Sequence, residues 1–359
     1  MVNTIGNILR LTTFGESHGP AIGGVLDGCP AGTVIDEQEI ALQLQRRMTA
    51  QSSFSSSRKE TDQVEFISGI EKGVALGTPI CFMVRNTGHQ PKDYENIKEV
   101  FRPSHADYSW FAKFGAGSGS GGGRTSARVL LPAVVAGCIA RDILRSTQVS
   151  VLAWVSSIGT VQISDMLLDI TPEMVHNNEL NCPDPLAAKE MLRLLTTLKK
   201  AGDTTGGTII CRISGVPAGL GEPVFGKLHA SLAHAMMGIN SVKAFEYGSG
   251  FEASRMKGSE YNDALYVKKG TVHTRSNHDG GINGGISNGE DILFRIAFKP
   301  IPSVHLEQKT LDTRLKPVSV NISGRHDTCV VPRSVTLVES LANLVIADQF
   351  LMQKIRNFK

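Results

Sequence analysis

The order in which helical and strand-like periods follow one another along these 359 residues constrains the fold more than any other feature. Asp184 precedes Pro185, an N-cap with proline at the first helical position. Leu194, Leu195 and Leu198 then form one apolar face, and Gly202 stands just past the end. A second helix is predicted from Asp36, with Glu39 spaced as in a capping box and Ile40 and Leu44 at helical spacing behind it. Further helices are expected over 125–145, over 223–239 (Leu228, Leu232, Met236) and over 333–355, where Val335, Val338, Leu341 and Val345 recur every three or four residues. Short β-rich runs at 149–155, 208–213, 292–298 and 318–322 read as strands. The strands and helices keep no regular βαβ rhythm, which points to an α+β fold rather than a doubly wound parallel sheet.

No internal repeat and no long linker is visible, so a single domain over 1–359 is expected. Two stretches break the pattern. Gln51 to Ser57 is nearly all serine, and Gly115 to Gly123 carries six glycines in nine residues. Mobile loops that order around a ligand are expected there, at 48–60 and 115–123.

Composition narrows the function classes. With 41% hydrophobic and 20% charged residues the chain is globular in character, and a net charge of +3 is too diffuse for a dedicated nucleic-acid binder. Small anions suit it better than polynucleotides. The six cysteines form no CxxC pair and no Cys/His cluster at zinc spacing, so no metal is expected and the thiols read as buried in a reducing compartment. No signal peptide is visible, and the twelve uncharged residues between Arg128 and Arg141 are too few to cross a bilayer. The expectation is a cytoplasmic protein with no membrane partner.

The glycine loop ends in Gly121-Gly-Gly-Arg-Thr-Ser-Ala-Arg128 and is predicted to open a helix. Glycines let backbone N–H groups approach an anion, a helix N-terminus adds a favourable dipole, and Arg124 brings a planar fork, so a phosphate cradle is one reading and a flexible linker the other. Gly117-x-Gly119-x-x-Gly122 matches a dinucleotide fingerprint but follows no apolar strand, and a P-loop ending is absent. His18, in Phe14-Gly-Glu-Ser-His-Gly-Pro20, and His105, in Arg102-Pro-Ser-His-Ala-Asp-Tyr108, are flanked by turn formers. Such an imidazole can give or take a proton near neutral pH, although each considered singly is more often a structural histidine. Gly324-Arg-His-Asp327 places an arginine beside a carboxylate, as a surface ion pair also would. The double-glycine cluster 277–286 reads as a tight turn or as backbone shaped around a flat ligand, and Lys299-Pro-Ile-Pro-Ser303 adds a cation. Arg46 and Arg47 close the first helix, where its dipole alone would favour them.

Taken in order, these segments resemble the motif set of the chorismate synthase family, from Asn3-Thr-Ile-Gly6 to the helix after Pro332, with Gly215-Val-Pro-Ala-Gly-Leu-Gly-Glu-Pro-Val-Phe225 among them. The resemblance implies a sandwich of two largely antiparallel β-sheets around a layer of helices, assembled as a homotetramer. It implies an anti-1,4-elimination of phosphate from 5-enolpyruvylshikimate 3-phosphate to give chorismate. Reduced FMN is required without net redox change, and NADPH or a separate flavin reductase is the source of reduction. By motif, His18 would protonate the departing phosphate and His105 would stabilise the charge of the reduced flavin near N1. Ser17 and Asp327 would relay the proton taken from C6. Arg10, Arg47, Arg128 and Arg325 would gather around phosphate and carboxylates. Arg124, Thr125, Ser126, Asn240, Ser241, Gly284, Lys299, Pro300, Ile301, Pro302, Ser303 and Arg325 fall on FMN-binding positions. A non-catalytic flavin- or phosphate-binding homologue is the alternative.

The chain departs from the family pattern at three places. Gly117-Ser-Gly-Ser120 replaces an Arg-Asp-x-Arg run, Val129 stands where Glu is common, and Ser53 stands where an arginine is usual. The first two are expected to remove charge beside the cradle.

Overall fold

The computed structural model describes residues 3–48, 62–86, 99–118, 120–164, 169–322 and 327–356. Two five-stranded antiparallel sheets enclose helices. In spatial order the first sheet is Thr4–Ile5, Arg10–Gly15, Ala21–Asp27, Ile80–Arg85 and Val64–Ser68. The second is Val161–Gln162, Ser150–Ile158, Gly207–Ser214, Ile292–Phe298 and Val242–Tyr247. The described helices are α1 (Glu37–Arg47), α2 (Asp107–Phe114), α3 (Leu131–Leu144), α4 (Pro172–His176), α5 (Pro185–Ala201), α6 (Leu228–Met237), α7 (Gly258–Tyr261) and α8 (Val331–Arg356). Helix α3 packs on the strands Arg10–Gly15 and Ala21–Asp27, α8 on Ser150–Ile158 and Gly207–Ser214, and the two helices on each other. The expected sandwich of antiparallel sheets around helices is what forms.

The layer works because α3 and α8 are apolar on nearly every side, as helices buried between two surfaces must be. From Leu131 to Ala140 every residue of α3 is buried. Helix α8 is the one described helix long and apolar enough to cross a membrane, yet 83% of its most apolar window is buried inside the protein, so its apolar length is spent on the core. Its polar residues are satisfied locally. Ser340 Oγ donates to Thr336 O at 2.7 Å, and Asp348 accepts the backbone N–H groups of Asn7, Ile8 and Leu9. That carboxylate pins the start of the first sheet to the central helix. In the second sheet Ile292, Phe294, Ile296 and Phe298 alternate inward, the period-two pattern that made this strand legible.

Other predictions are corrected in detail. The helix expected over 125–145 divides into 3₁₀ turns at Ser120–Thr125 and Ala127–Leu130 before α3 begins, because Gly122 and Gly123 have positive φ and Ser126 is extended. The helix expected over 223–239 starts only at Leu228, leaving Phe225 in solvent. Asp36 does cap α1 by accepting from Glu39 N, but the capping box is not closed from the other side. Glu39 turns to Arg141 instead, and the backbone N–H of Asp36 donates to Asp142. Val129, which stands where Glu is common, is buried directly after Arg128. The expected loop at 48–60 lies, beyond Met48, outside the described residues.

Helices α3 and α8 approach closely at Gly137, where an added Cβ would lie 2.4 Å from Ser340 Cα. Gly137→Ala gains helix propensity of about 1 kcal/mol but forces the pair apart, and overpacking costs roughly 1–3 kcal/mol. A net loss of stability is expected, read as a lower midpoint in thermal and denaturant unfolding.

Candidate active site

The glycine-rich segment does not run straight into a helix; it passes through two 3₁₀ turns, and its backbone carbonyls become anchors. Ser17 N donates to Gly123 O at 3.3 Å, Asn240 Nδ2 to Thr125 O at 2.8 Å, and Arg47 Nη2 to Ala127 O at 3.0 Å. Three separate parts of the chain thereby meet on five residues.

On one side stands the turn bearing Ser17 and His18. Ser17 is buried, and its Oγ lies 3.1 Å from His18 Nδ1. On the other side is a charge cluster. Arg128 Nη2 donates to Asp62 Oδ1 at 2.9 Å, and Arg333 Nη1 to Asp327 Oδ2 at 2.5 Å. Arg47 is buried among these groups. Burial first, then the neighbouring Arg333 and Arg128, push its pKa down to about 9, against the opposing pull of Asp62 and Asp327. Among the described residues, three guanidiniums face two carboxylates here, an arrangement that favours an incoming anion.

A third group lies beyond Asn240. Lys299 N donates to Ser241 O at 2.9 Å, Lys299 Nζ to Ser104 O at 2.8 Å, and His105 Nε2 lies 3.0 Å from the buried Ser303 Oγ. His105 Nδ1 lies 3.1 Å from Pro103 O, so both ring nitrogens are fixed. The His105 turn is clamped by Arg102, which donates from Nε and Nη2 to the two oxygens of Asp107. Burial raises the Asp107 pKa, but the Arg102 bonds outweigh it and the net shift is downward. Lys299 is shifted downward by burial and by Lys243. Ile301 O accepts from Thr204 Oγ1 at 2.6 Å, fixing the Pro300-Ile-Pro302 run from behind.

The segments that bear His18 and His105 are thus linked stepwise, Ser17 to Gly123, Thr125 to Asn240, Ser241 to Lys299 and Lys299 to Ser104, by separate hydrogen bonds joined through neighbouring residues of the chain. Not every expected residue takes part in the expected way. The Arg124 fork points into the first sheet, where it donates to Gly15 O, Asn3 Oδ1 and Thr13 Oγ1, and so acts as a brace for the segment. Thr125 Oγ1 donates to Gly122 O, and Ser126 Oγ accepts from Arg128 N, so both shape the turns. Arg10 pairs with Asp27 on an exposed strand, with about half of its side chain in solvent. Gly284 sits in a glycine turn with φ +60°, and a Cβ there would face open space. Arg325 lies outside the described residues.

Asp62, Asn86 and Arg333 were not singled out by the sequence. A cation in the first turn of α8 is disfavoured by the helix dipole, and that misplacement was the one available sign that Arg333 has an anionic partner. Nothing in the sequence marked Asp62.

The family model described as chorismate synthase matches residues 9–351. The chain belongs to the chorismate synthase family. Chorismate synthases of Bacteroides thetaiotaomicron and Christiangramia forsetii are each 49% identical to it, over 354 and 352 residues, covering 99% and 98% of this chain and of their own. A crystal structure of a chorismate synthase shares its fold with a TM-score of 0.76 at 28% identity, covering 97% of this chain and 93% of that one. All six cysteines are free, as expected, and five are buried; burial pushes Cys138 and Cys329 up to about 12.

A separate cavity of about 550 Å³ opens behind α1 and reaches Arg333. The ion pairs that line it, Arg141 with Glu39 and Arg46 with Glu339, largely neutralise each other, so it lacks the excess positive charge found around Arg47.

Arg47→Met removes a buried charge while keeping volume, so the thermal midpoint is expected to stay level or rise. Affinity for inorganic phosphate at neutral pH is expected to fall by roughly tenfold or more, measured calorimetrically.

Proposed function

We propose that this chain is a carbon–oxygen lyase of the shikimate pathway (EC 4.2.3.5), serving aromatic amino-acid biosynthesis. It converts 5-enolpyruvylshikimate 3-phosphate to chorismate and phosphate by anti-1,4-elimination. One observation carries the reading: the Ser17–His18 turn and Arg47 are anchored at opposite ends of the same five residues, Gly123 to Ala127, which Arg128 directly follows. A phosphate leaves most readily where positive charge and a proton donor meet it in a water-poor site.

In this reading His18 delivers a proton to the departing phosphate, its ring oriented by the Ser17 hydroxyl 3.1 Å away. Arg47 and Arg128 neutralise the phosphate and carboxylate charges, with Arg10 and Arg325 as the further cations that the family's motifs supply. Asp327, held by Arg333, takes part with Ser17 in passing on the proton lost from the substrate ring.

The third group fits reduced FMN. Lys299 and Lys243, close enough for each to bear on the other's charge, supply positive charge suited to a phosphate tail. Asn240, Ser241, Gly284, Lys299, Pro300, Ile301, Pro302, Ser303 and Arg325 would hold it, as in the family's motifs, with Arg124, Thr125 and Ser126 shaping their own segment. When bound, reduced FMN supplies electron density to the breaking C–O bond and is unchanged over the cycle. His105, fixed by Ser303, balances the charge of the reduced ring. NADPH supplies the reduction, directly or through a separate flavin reductase. The enzyme works in the cytoplasm as one domain per chain in a homotetramer, for which the exposed apolar side chains of Phe251, Leu265, Val267 and Val272 offer contact surface.

The charge-poor Gly117 to Ser120 stretch favours one other reading, a flavin- or phosphate-binding homologue without turnover. An anaerobic assay with dithionite-reduced FMN separates the two, since only the lyase releases phosphate and forms chorismate. In that assay His18→Ala and His105→Ala are each expected to lower turnover by more than about tenfold with the fold intact by circular dichroism. A near-normal rate in either variant removes that histidine from the mechanism.

A further inference from the structure

The turn that carries Ser17 and His18 is held from outside by a residue with no assigned role. Asn86 follows the strand Ile80–Arg85 and is 8% exposed. Its Nδ2 donates to Glu16 O at 3.1 Å and to Gly19 O at 2.8 Å, the carbonyls on either side of Ser17 and His18. Its backbone N–H donates to Pro20 O at 3.1 Å. The other end of the same amide faces the charge cluster: Oδ1 accepts from Arg128 Nε at 2.8 Å, and Arg128 reaches on to the buried Asp62.

An amide is the side chain this position requires, because it must offer two N–H donors on one edge and an acceptor on the other. A carboxylate would keep the Arg128 contact and turn oxygen against two carbonyls; an aliphatic side chain would lose both sides. The turn itself is already closed by Gly19 N donating to Glu16 O at 3.1 Å, so the clasp adds placement rather than basic turn geometry.

We propose that Asn86 is a positioning residue that couples Arg128 to the Ser17–His18 turn, so that the guanidinium which grips the substrate anion also sets the imidazole for proton delivery. The proposal rests on the assignment of His18 as the proton donor. It explains why an arginine at the anion site spends its Nε on a neutral amide while Nη2 meets the carboxylate: the pair of bonds fixes the plane of the fork and the position of the turn together. A shift of about 1 Å in a catalytic group costs up to roughly a hundredfold in rate, so a rigid link between the two groups has kinetic value.

The test is a double-mutant cycle on kcat at saturating substrate, anaerobic and with reduced FMN, using Asn86→Asp, Asn86→Ala, His18→Ala and the two double variants. Folding is checked by circular dichroism, and if one Asn86 variant does not accumulate folded, the other carries the cycle. Both Asn86 variants are expected to lower kcat by roughly tenfold or more, and neither should slow the His18→Ala protein by more than about twofold, because the residue acts through an imidazole already absent. Multiplying effects in the double variants would overturn the proposal, as would a kcat near normal in Asn86→Asp or Asn86→Ala. A slow His18→Ala with a normal Asn86→Asp removes the coupling alone, whereas a normal His18→Ala removes the proton-donor assignment and the coupling with it.

Discussion

The α3–α8 contact is the constraint on which the rest of the molecule depends. Two sheets with apolar inner faces are separated by more than one side-chain layer, and only helices apolar on both sides can fill that space. Gly137 lets the two helices approach until its α-carbon meets the Ser340 backbone, so α3 can serve the first sheet while α8 serves the second. The ends of these helices then set the site. The turns preceding α3 carry Gly123 to Arg128, and the start of α8 carries Arg333 and the preceding Asp327. Asp348 closes the arrangement from the far end of α8 by tying down Asn7 to Leu9, just ahead of the strand that leads to Ser17.

The charge cluster shows the opposite economy from the core. Burying Arg47 beside Arg128 and Arg333 works against folding, since each guanidinium has lost water and like charges are close. Asp62 and Asp327 offset part of this, and a bound anion would offset more. A net charge of only +3 over the whole chain is compatible with such a site because the positive field is produced locally, by arginines from 47, 128 and 333 converging on one place. The same logic separates this site from the cavity behind α1, where comparable numbers of charged groups are paired one to one.

Helix α5 was legible almost to the residue, because Asp184 caps it, Pro185 opens it and Gly202 ends it in the left-handed conformation; all three signals are local. The first sheet was not. Its central strand Ala21–Asp27 contains Gly23 and Gly24, which lower β-propensity, yet a Cβ on Gly23 would lie 2.3 Å from the Phe14 ring and 2.4 Å from Phe82 O. Those glycines answer to neighbours remote in sequence, so no window along the chain displays their purpose. Arg124 shows the same limit: beside three glycines it offers an anion fork, while the partners that hold it, Asn3, Thr13 and Gly15, are over a hundred residues away.

The sequence by itself determined the family, the α+β class and the residue types available for chemistry, since motifs, caps and periods depend on near neighbours in the chain. It also named both histidines and most of the arginines. Which way those side chains point was decided only by tertiary structure. Arg47 ends a surface-like helix and yet turns inward to Ala127, Arg10 stays outside with Asp27, and Asn86 and Asp62 acquire roles from contacts across the fold. The physical reason is that charge and hydrogen-bond pairing depend on distance in space, and the packing of two sheets on a shared helical layer sets those distances.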